Sequence, residues 1–163
     1  MASPVIRPFH PTDVSGVVEL ILPIQQQEFG IAIEREDQPD LSDIPSFYQK
    51  GAGGFWVAED VGRIVGTIAL KELGSRRAAL RKMFVASPFR GSAHGLGAKL
   101  LDTLTRHARR QGVVDIYLGT TEAFLAAHRF YEKNGFEEVA RSTLPADFPV
   151  MEVDRKFYRM ALP

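Results

Sequence analysis

Apolar positions in this chain follow two periods, and the switches between them lay out its elements. Residues 4–9, PVIRPF, read as a short strand. From Pro11 to about Gly30 the apolar residues Val14, Val17, Val18 and Ile21 keep helical spacing, and Pro23 is expected to kink or end that helix. Residues 31–42 are polar and turn-rich, which predicts a mobile flap. Ser42 and Asp43 are cap candidates for a short helix through Tyr48 that Gly51 closes. GFWVAED, RIVGTIALKEL and AALRKMFV are β-branched or aromatic runs separated only by VG and LGSRR, so they predict a meander of three antiparallel strands.

Helical spacing returns at Leu96, Leu100, Leu101, Leu104 and Ala108, with Lys99, Asp102, Arg106 and Arg109 on the other side and Gly112 as the stop. VVDIYLGT predicts a buried strand, Thr121 a cap for the helix EAFLAAHRFYEKN that Gly135 ends, and FEEVA another strand. Pro145 and Pro149 place a loop before RKFYRMAL, where Tyr158, Met160 and Leu162 alternate as in a final strand. Strands alternating with helices after an antiparallel meander predict an α/β fold of mixed type.

Composition narrows the field. A chain of 163 residues, 45% hydrophobic, has the size and core of one domain, residues 1–163. Twenty basic residues balance twenty acidic ones, so no net field favours nucleic acid or an anionic membrane. Arg106, Arg109 and Arg110 sit where the helix dipole alone favours cations. The start, MASPVIRPFHP, has no apolar leader, and VVELILPI is interrupted by Glu19 and Pro23 and too short to span a bilayer, which predicts a cytoplasmic protein. There is no cysteine, which excludes disulfides, thiolate metal sites and cysteine nucleophiles, and no metal is expected.

The stretch VASPFRGSAHGLGAKLL, residues 85–101, runs from a strand through small residues into a helix. The first amides of such a helix lack partners and carry the positive end of its dipole, which suits phosphate. Two common phosphate motifs fail on spelling. A dinucleotide fold needs a glycine where Leu100 stands, and a P-loop needs Gly-Lys-Ser/Thr where Ala98, Lys99 and Leu100 stand.

The stretch resembles motif A of the GNAT acyltransferase superfamily, with Val85, Arg90, Gly91, Gly95, Leu96 and Gly97 in the family's order. Ser92, Ala93 and His94 intervene where most members have one residue, making the loop two residues longer. Either Arg90 reaches the phosphates from this wider loop, or Ala93 takes the place of the first glycine. AAHRFYEKNGF resembles the family's motif B, with Ala127, Tyr131, Gly135 and Phe136 at the matching positions. Phe124 stands where members often carry an asparagine that meets the pantetheine arm. LRKMFV, LGTT and FPVMEVDRKFY resemble a bacterial subgroup of the family.

The resemblance implies a GNAT fold, with a central mostly antiparallel mixed sheet flanked by helices. It implies an N-acetyltransferase that moves an acetyl group from acetyl-CoA directly to an amine. Met83, Phe84 and Val85 would offer backbone groups to the pantetheine arm. Arg90, Gly91, Ala93, His94, Gly95, Leu96, Gly97 and Ala98 would surround the pyrophosphate, with Phe124 and Ala127 along the arm. Tyr131 would protonate the departing thiolate, since a phenol with pKa about 10 is an uncharged donor; helical spacing alone makes it a core aromatic beside Phe124 and Ala127. The amine's proton would go to Glu72 or to water, with Glu28 and His128 as further candidates. Six acidic residues from Glu28 to Asp43 face only Arg35 in sequence, which points to a cationic acceptor such as a polyamine, an aminoglycoside-like amine or a protein N-terminus, unless they form an ordinary solvated loop. A coenzyme-binding regulatory module without turnover is the alternative function. Apolar residues on the final strand suggest a homodimer.

Overall fold

The computed structural model describes residues 3–91, 94–122 and 124–163. Seven strands form one sheet: β1 (Val5–Pro8), β2 (Gly54–Asp60), β3 (Arg63–Glu72), β4 (Arg77–Val85), β5 (Asp115–Thr120), β6 (Glu137–Val139) and β7 (Lys156–Ala161). They lie in the order β1-β2-β3-β4-β5-β7-β6, and every neighbouring pair is antiparallel except β4 and β5. The meander of β2, β3 and β4 follows the sequence expectation. Val61 and Gly62, both at positive φ, make the tight turn between β2 and β3.

Five helices cover the sheet: α1 (Val14–Pro23), α2 (Pro39–Ser42), α3 (Ile44–Phe47), α4 (Leu96–Arg110) and α5 (Leu125–Lys133). Alternation along β2 assigns them to faces. Trp56 and Ala58 point to a core shared with Leu100, Leu104, Tyr131 and Phe136, whereas Phe55 and Val57 join Val17, Ile21, Ile44 and Tyr48. Thus α4 and α5 cover one face, and α1, α2 and α3 the other. A third cluster, Ala79, Tyr117, Phe148 and Phe157, closes the region where β4, β5 and β7 meet.

Pro23 ends α1 as expected, and the chain runs on as a π-helical turn over Ile24–Glu28. Two expectations change. Thr121 caps nothing: α5 begins at Leu125, with Phe124 at its cap position and no side-chain cap bond. The final strand is interior, since β7 pairs with β5 on one side and β6 on the other, and Phe157, Tyr158 and Leu162 are buried. Phe157, Tyr158 and Leu162 are therefore spent on the core rather than offered to a second copy. No helix among the described residues is long and apolar enough to cross a membrane.

Candidate active site

The sheet opens where its one parallel pair comes apart. β4 and β5 pair only through Arg77, Ala78 and Ala79 with Asp115, Ile116 and Tyr117. Beyond these, β4 continues to Val85 and β5 to Thr120 with no ladder between them, so two strand edges face one cleft. The cleft has a volume of about 700 Å³ and reaches from Leu80 and Leu118 to the flap. Main-chain donors and acceptors on such edges are obligatory hydrogen-bonding groups and accept an added extended chain.

One wall carries neutral chemistry. Tyr131 on α5 is buried, lines the cleft beside Ala127 and Phe124, and packs edge-on against Phe130 and Phe136. Burial pushes its phenol up to about 12, so it stays protonated throughout the physiological range. The hydroxyl of Thr121, at the end of β5, is buried without a hydrogen-bond partner among the described residues and lines the same cleft. Just beyond β4, Gly95 takes a left-handed conformation at the start of α4 and offers no side-chain cap. The amides of Leu96, Gly97 and Ala98 have no partner within the helix, whose bonding begins with Lys99 N–H donating to Gly95 C=O. A Cβ at Gly97 would meet Phe130 and Met83 at ordinary contact distance, so this turn of α4 lies beside both. A dianion fits this bare helix start, and an amide-bearing arm fits the open edge of β4.

The other wall is charged. Ala69 pairs with Arg81 and Thr67 with Phe84, leaving Lys82 and Met83 opposite Ile68 alone. This bulge holds Lys82 at φ +52°, a left-handed conformation that costs a side-chain-bearing residue roughly 1–3 kcal/mol. It turns the consecutive residues Arg81 and Lys82 to the same flap-facing side. The buried Lys82 donates to Gln38 Oε1 at 2.6 Å and lies 3.5 Å from Asp40. Gln38 exchanges amide hydrogen bonds with Gln25, and Tyr48 donates to Asp40 at 2.6 Å. Burial pulls the Lys82 ammonium down to about 8, with Asp40 opposing. Asp154, from the segment before β7, lines the cleft too; burial raises its carboxyl against a hydrogen bond donated by Met151 N–H.

The sequence-derived candidates divide accordingly. Met83, Phe84, Phe124, Ala127 and Tyr131 converge on the cleft. Val85, Gly95, Leu96, Gly97 and Ala98 stand where β4 ends and α4 starts and are not among the residues lining the cleft, although Gly97 lies against its Met83. Phe124 has exchanged a polar contact for stacking: its ring lies 3.8 Å from that of Phe29, which in turn approaches Phe84 at 6.4 Å. Gly91 turns the loop at φ +97° and accepts from the amides of His94 and Gly95, while the His94 side chain is exposed and neighbours Phe89. Ala93 lies outside the described residues. Arg90 is engaged elsewhere than at the helix start, donating to Val85 C=O at 2.8 Å and pairing with Glu28 at 2.6 Å.

Glu72 is a correction. It ends β3 opposite Ala78, is exposed, and accepts from Ala52 N–H at 2.8 Å, so it braces a turn away from the open end of β4. Glu28 is held by Arg90, and His128 is buried with Nε2 2.7 Å from Thr121 C=O, so neither serves as a free base. The acidic flap does not converge either. Asp37 and Asp43 accept from backbone amides of Glu34 and Ser46, and Asp40 is bound to Tyr48 and Lys82. Sequence reasoning missed Arg81, Lys82, Gln38 and Asp154. The one signal available was two successive cations inside an otherwise alternating strand, which is how a bulge is spelled.

Comparison with known proteins agrees with this geometry. The model of the Acetyltransferase (GNAT) family matches residues 18–136. An acetyltransferase of the GNAT family from Staphylococcus aureus Mu50 superposes with a TM-score of 0.94 at 40% identity, covering 99% of this chain and 100% of that one. An acetyltransferase from Streptococcus agalactiae gives 0.92 at 30% identity, with coverage of 99% and 100%. Among curated relatives, N-acetylaspartate synthetase of Xenopus tropicalis is 39% identical over 104 residues, 61% of this chain and 37% of that protein. The chain thus spans well under half the length of that relative. With the parted strands, the bare helix start and the matching family model together, the chain belongs to the GNAT acetyltransferase family.

Proposed function

We propose that this protein transfers an acetyl group from acetyl-CoA directly to a primary amine, with both substrates bound at once. The observation that carries the reading is the gap between β4 and β5 with Tyr131 buried inside it. Acetyl-CoA supplies the acyl thioester. The amides of Leu96, Gly97 and Ala98 hold its pyrophosphate, aided by the helix dipole. The free edge of β4 from Met83 to Val85 pairs with the pantetheine arm as an added strand, and the unpartnered Thr121 hydroxyl gives that arm the polar contact that Phe124 lacks. Phe29, Phe84 and Phe124 keep water from the thioester.

Nitrogen attacks the carbonyl carbon, the C–S bond breaks, and the sulfur leaves as a thiolate. Tyr131 donates to that sulfur without placing a second charge beside it. With Glu72 out of reach, Lys82 takes the proton that the amine must lose, directly or through water, since its burial leaves it neutral above about pH 8. The similarity to a synthetase of N-acetylaspartate supports a small-molecule amine as acceptor. Thiol release from acetyl-CoA across a panel of amines tests the reading, and no release from any of them would overturn it.

A further inference from the structure

Arg81 is the one half-buried cation lining the cleft that no partner among the described residues explains. It is half-buried on the flap side of β4, yet among the described residues its guanidinium makes no hydrogen bond and no ion pair. Its nearest characterised neighbour is the ring of Phe47, 5.8 Å from its central carbon. Buried charges are ordinarily paired, and an arginine carries five donors in a rigid fork, so an unpaired one lining a cleft is a standing cost.

The surroundings deepen that cost. Lys71 pairs across β3 and β4 with Ala79, and Ala69 with Arg81, so the two cations are diagonal neighbours on one face. Lys71 stacks on the same Phe47 ring at 4.3 Å and likewise has no ion pair among the described residues. Repulsion from Lys50 and Arg81, added to burial, lowers its pKa, so three cations crowd this corner. Of the carboxylates that line the cleft, Glu152 is exposed to solvent and the other three are otherwise engaged. Asp40 holds Tyr48 and Lys82, Asp37 accepts from Glu34 N–H, and Asp154 accepts from Met151 N–H. Arg81 lies within the electrostatic reach of Asp154 but forms no ion pair with it.

From this juxtaposition we infer that Arg81 receives a carboxylate of the acceptor, so that the substrates are small amines that also carry a carboxylate, amino acids in the simplest case. A planar fork and a carboxylate form two parallel hydrogen bonds, the geometry that distinguishes arginine from lysine. The acceptor's carboxylate then relieves the repulsion at Phe47, while Lys82, the next residue, faces its amine. A cationic polyamine meets Arg81 and Lys71 as like charges and is rejected. The inference rests on the acetyl-transfer reading for its amine, but its anion site stands on the side chains alone.

The experiment runs amino acids beside their amides and decarboxylated amines in the thiol-release assay, with wild type, Arg81→Gln and Arg81→Lys. In parallel, N-acetylglycine, which keeps the carboxylate and lacks the amine, is titrated into each protein by calorimetry. We expect amino acids to be favoured at least about tenfold over their amides, and Arg81→Gln to raise the acceptor KM about 10- to 100-fold while the acetyl-CoA KM moves less than about twofold. Arg81→Lys recovers part of the loss. The thermal midpoint of Arg81→Gln stays equal or rises, because no internal bond is lost and a repulsion is relieved; a merely structural arginine would lower it. Amides and polyamines turned over as fast as amino acids, with Arg81→Gln indifferent, overturn the inference and leave acetyl transfer standing. No turnover with any amine, but N-acetylglycine bound by wild type and at least about tenfold more weakly by Arg81→Gln, sinks acetyl transfer and keeps the carboxylate site. Neither turnover nor binding sinks both.

Discussion

The two walls of the cleft do their work with different parts of the polypeptide. In the proposed reading, the coenzyme wall uses main-chain amides at the start of α4, the bare edge of β4 and an uncharged phenol. The acceptor wall uses side chains, Arg81, Lys82, Asp40 and Asp154, all charged and all at least partly buried. A ligand whose handle is always the same diphosphate and amide-bearing arm is met by groups that every residue possesses. A ligand that differs between relatives is met by groups that substitution can change. Specificity is therefore concentrated on the face that costs more to build.

Mutations separate the walls, and the largest effect is expected on the first. Gly95→Glu puts a carboxylate at the helix start and forces a side chain into a left-handed position, so acetyl-CoA affinity measured by calorimetry falls roughly 100-fold or more. Unchanged affinity would move the pyrophosphate elsewhere. Tyr131→Phe next lowers kcat about 100-fold with little change in acetyl-CoA affinity, and equal turnover removes the phenol from the reaction.

Lys82→Met probes the second wall through pH. In wild type, kcat/KM rises through about pH 8 as Lys82 loses its proton, and the variant loses that limb, with a deficit of about tenfold at pH 9. Stability carries the same signature. The folded state holds Lys82 at about 8 while an unfolded lysine titrates near 10.4, so between these values the unfolded chain binds more protons and wild-type stability climbs with pH. The difference in denaturant midpoint between wild type and the variant should shift in favour of wild type from pH 8 to 10. Glu72→Ala gives the smallest effect: kcat/KM within about twofold of wild type and a thermal midpoint lower by about 2 °C through loss of the bond to Ala52. A large loss of turnover would return Glu72 to the mechanism.

The same contrast explains what could be read from the sequence. The elements proposed to hold the coenzyme are spelled in two continuous runs, 83–98 and 127–136, so local pattern predicts the end of β4 and the helices α4 and α5. The acceptor wall is assembled across distance. Gln38 meets Lys82 over 44 positions and Glu28 meets Arg90 over 62, and no spacing rule reports such pairs. Acidic residues of the flap looked alike in sequence, yet Asp37 and Asp43 serve backbone amides while Asp40 is buried against a lysine and a tyrosine. Glu72 was misplaced because its strand was legible but the end of β3 on which it falls was not. Arg90 kept its family position and gave its guanidinium to Glu28, a partner supplied by the π-helical turn after Pro23.

The additional residue in β4 governs which length changes this gene can tolerate. Met83 and Val85 pack toward α4, and Phe84 toward the flap, only because Lys82 interrupts the alternation ahead of them. Exchanging Lys82 for another residue alters one side chain. Deleting it would invert every position from 83 to 85, carrying apolar groups off their cores and the edge proposed for the pantetheine arm out of phase. Substitutions can therefore drift through this segment, whereas a one-codon gap cannot.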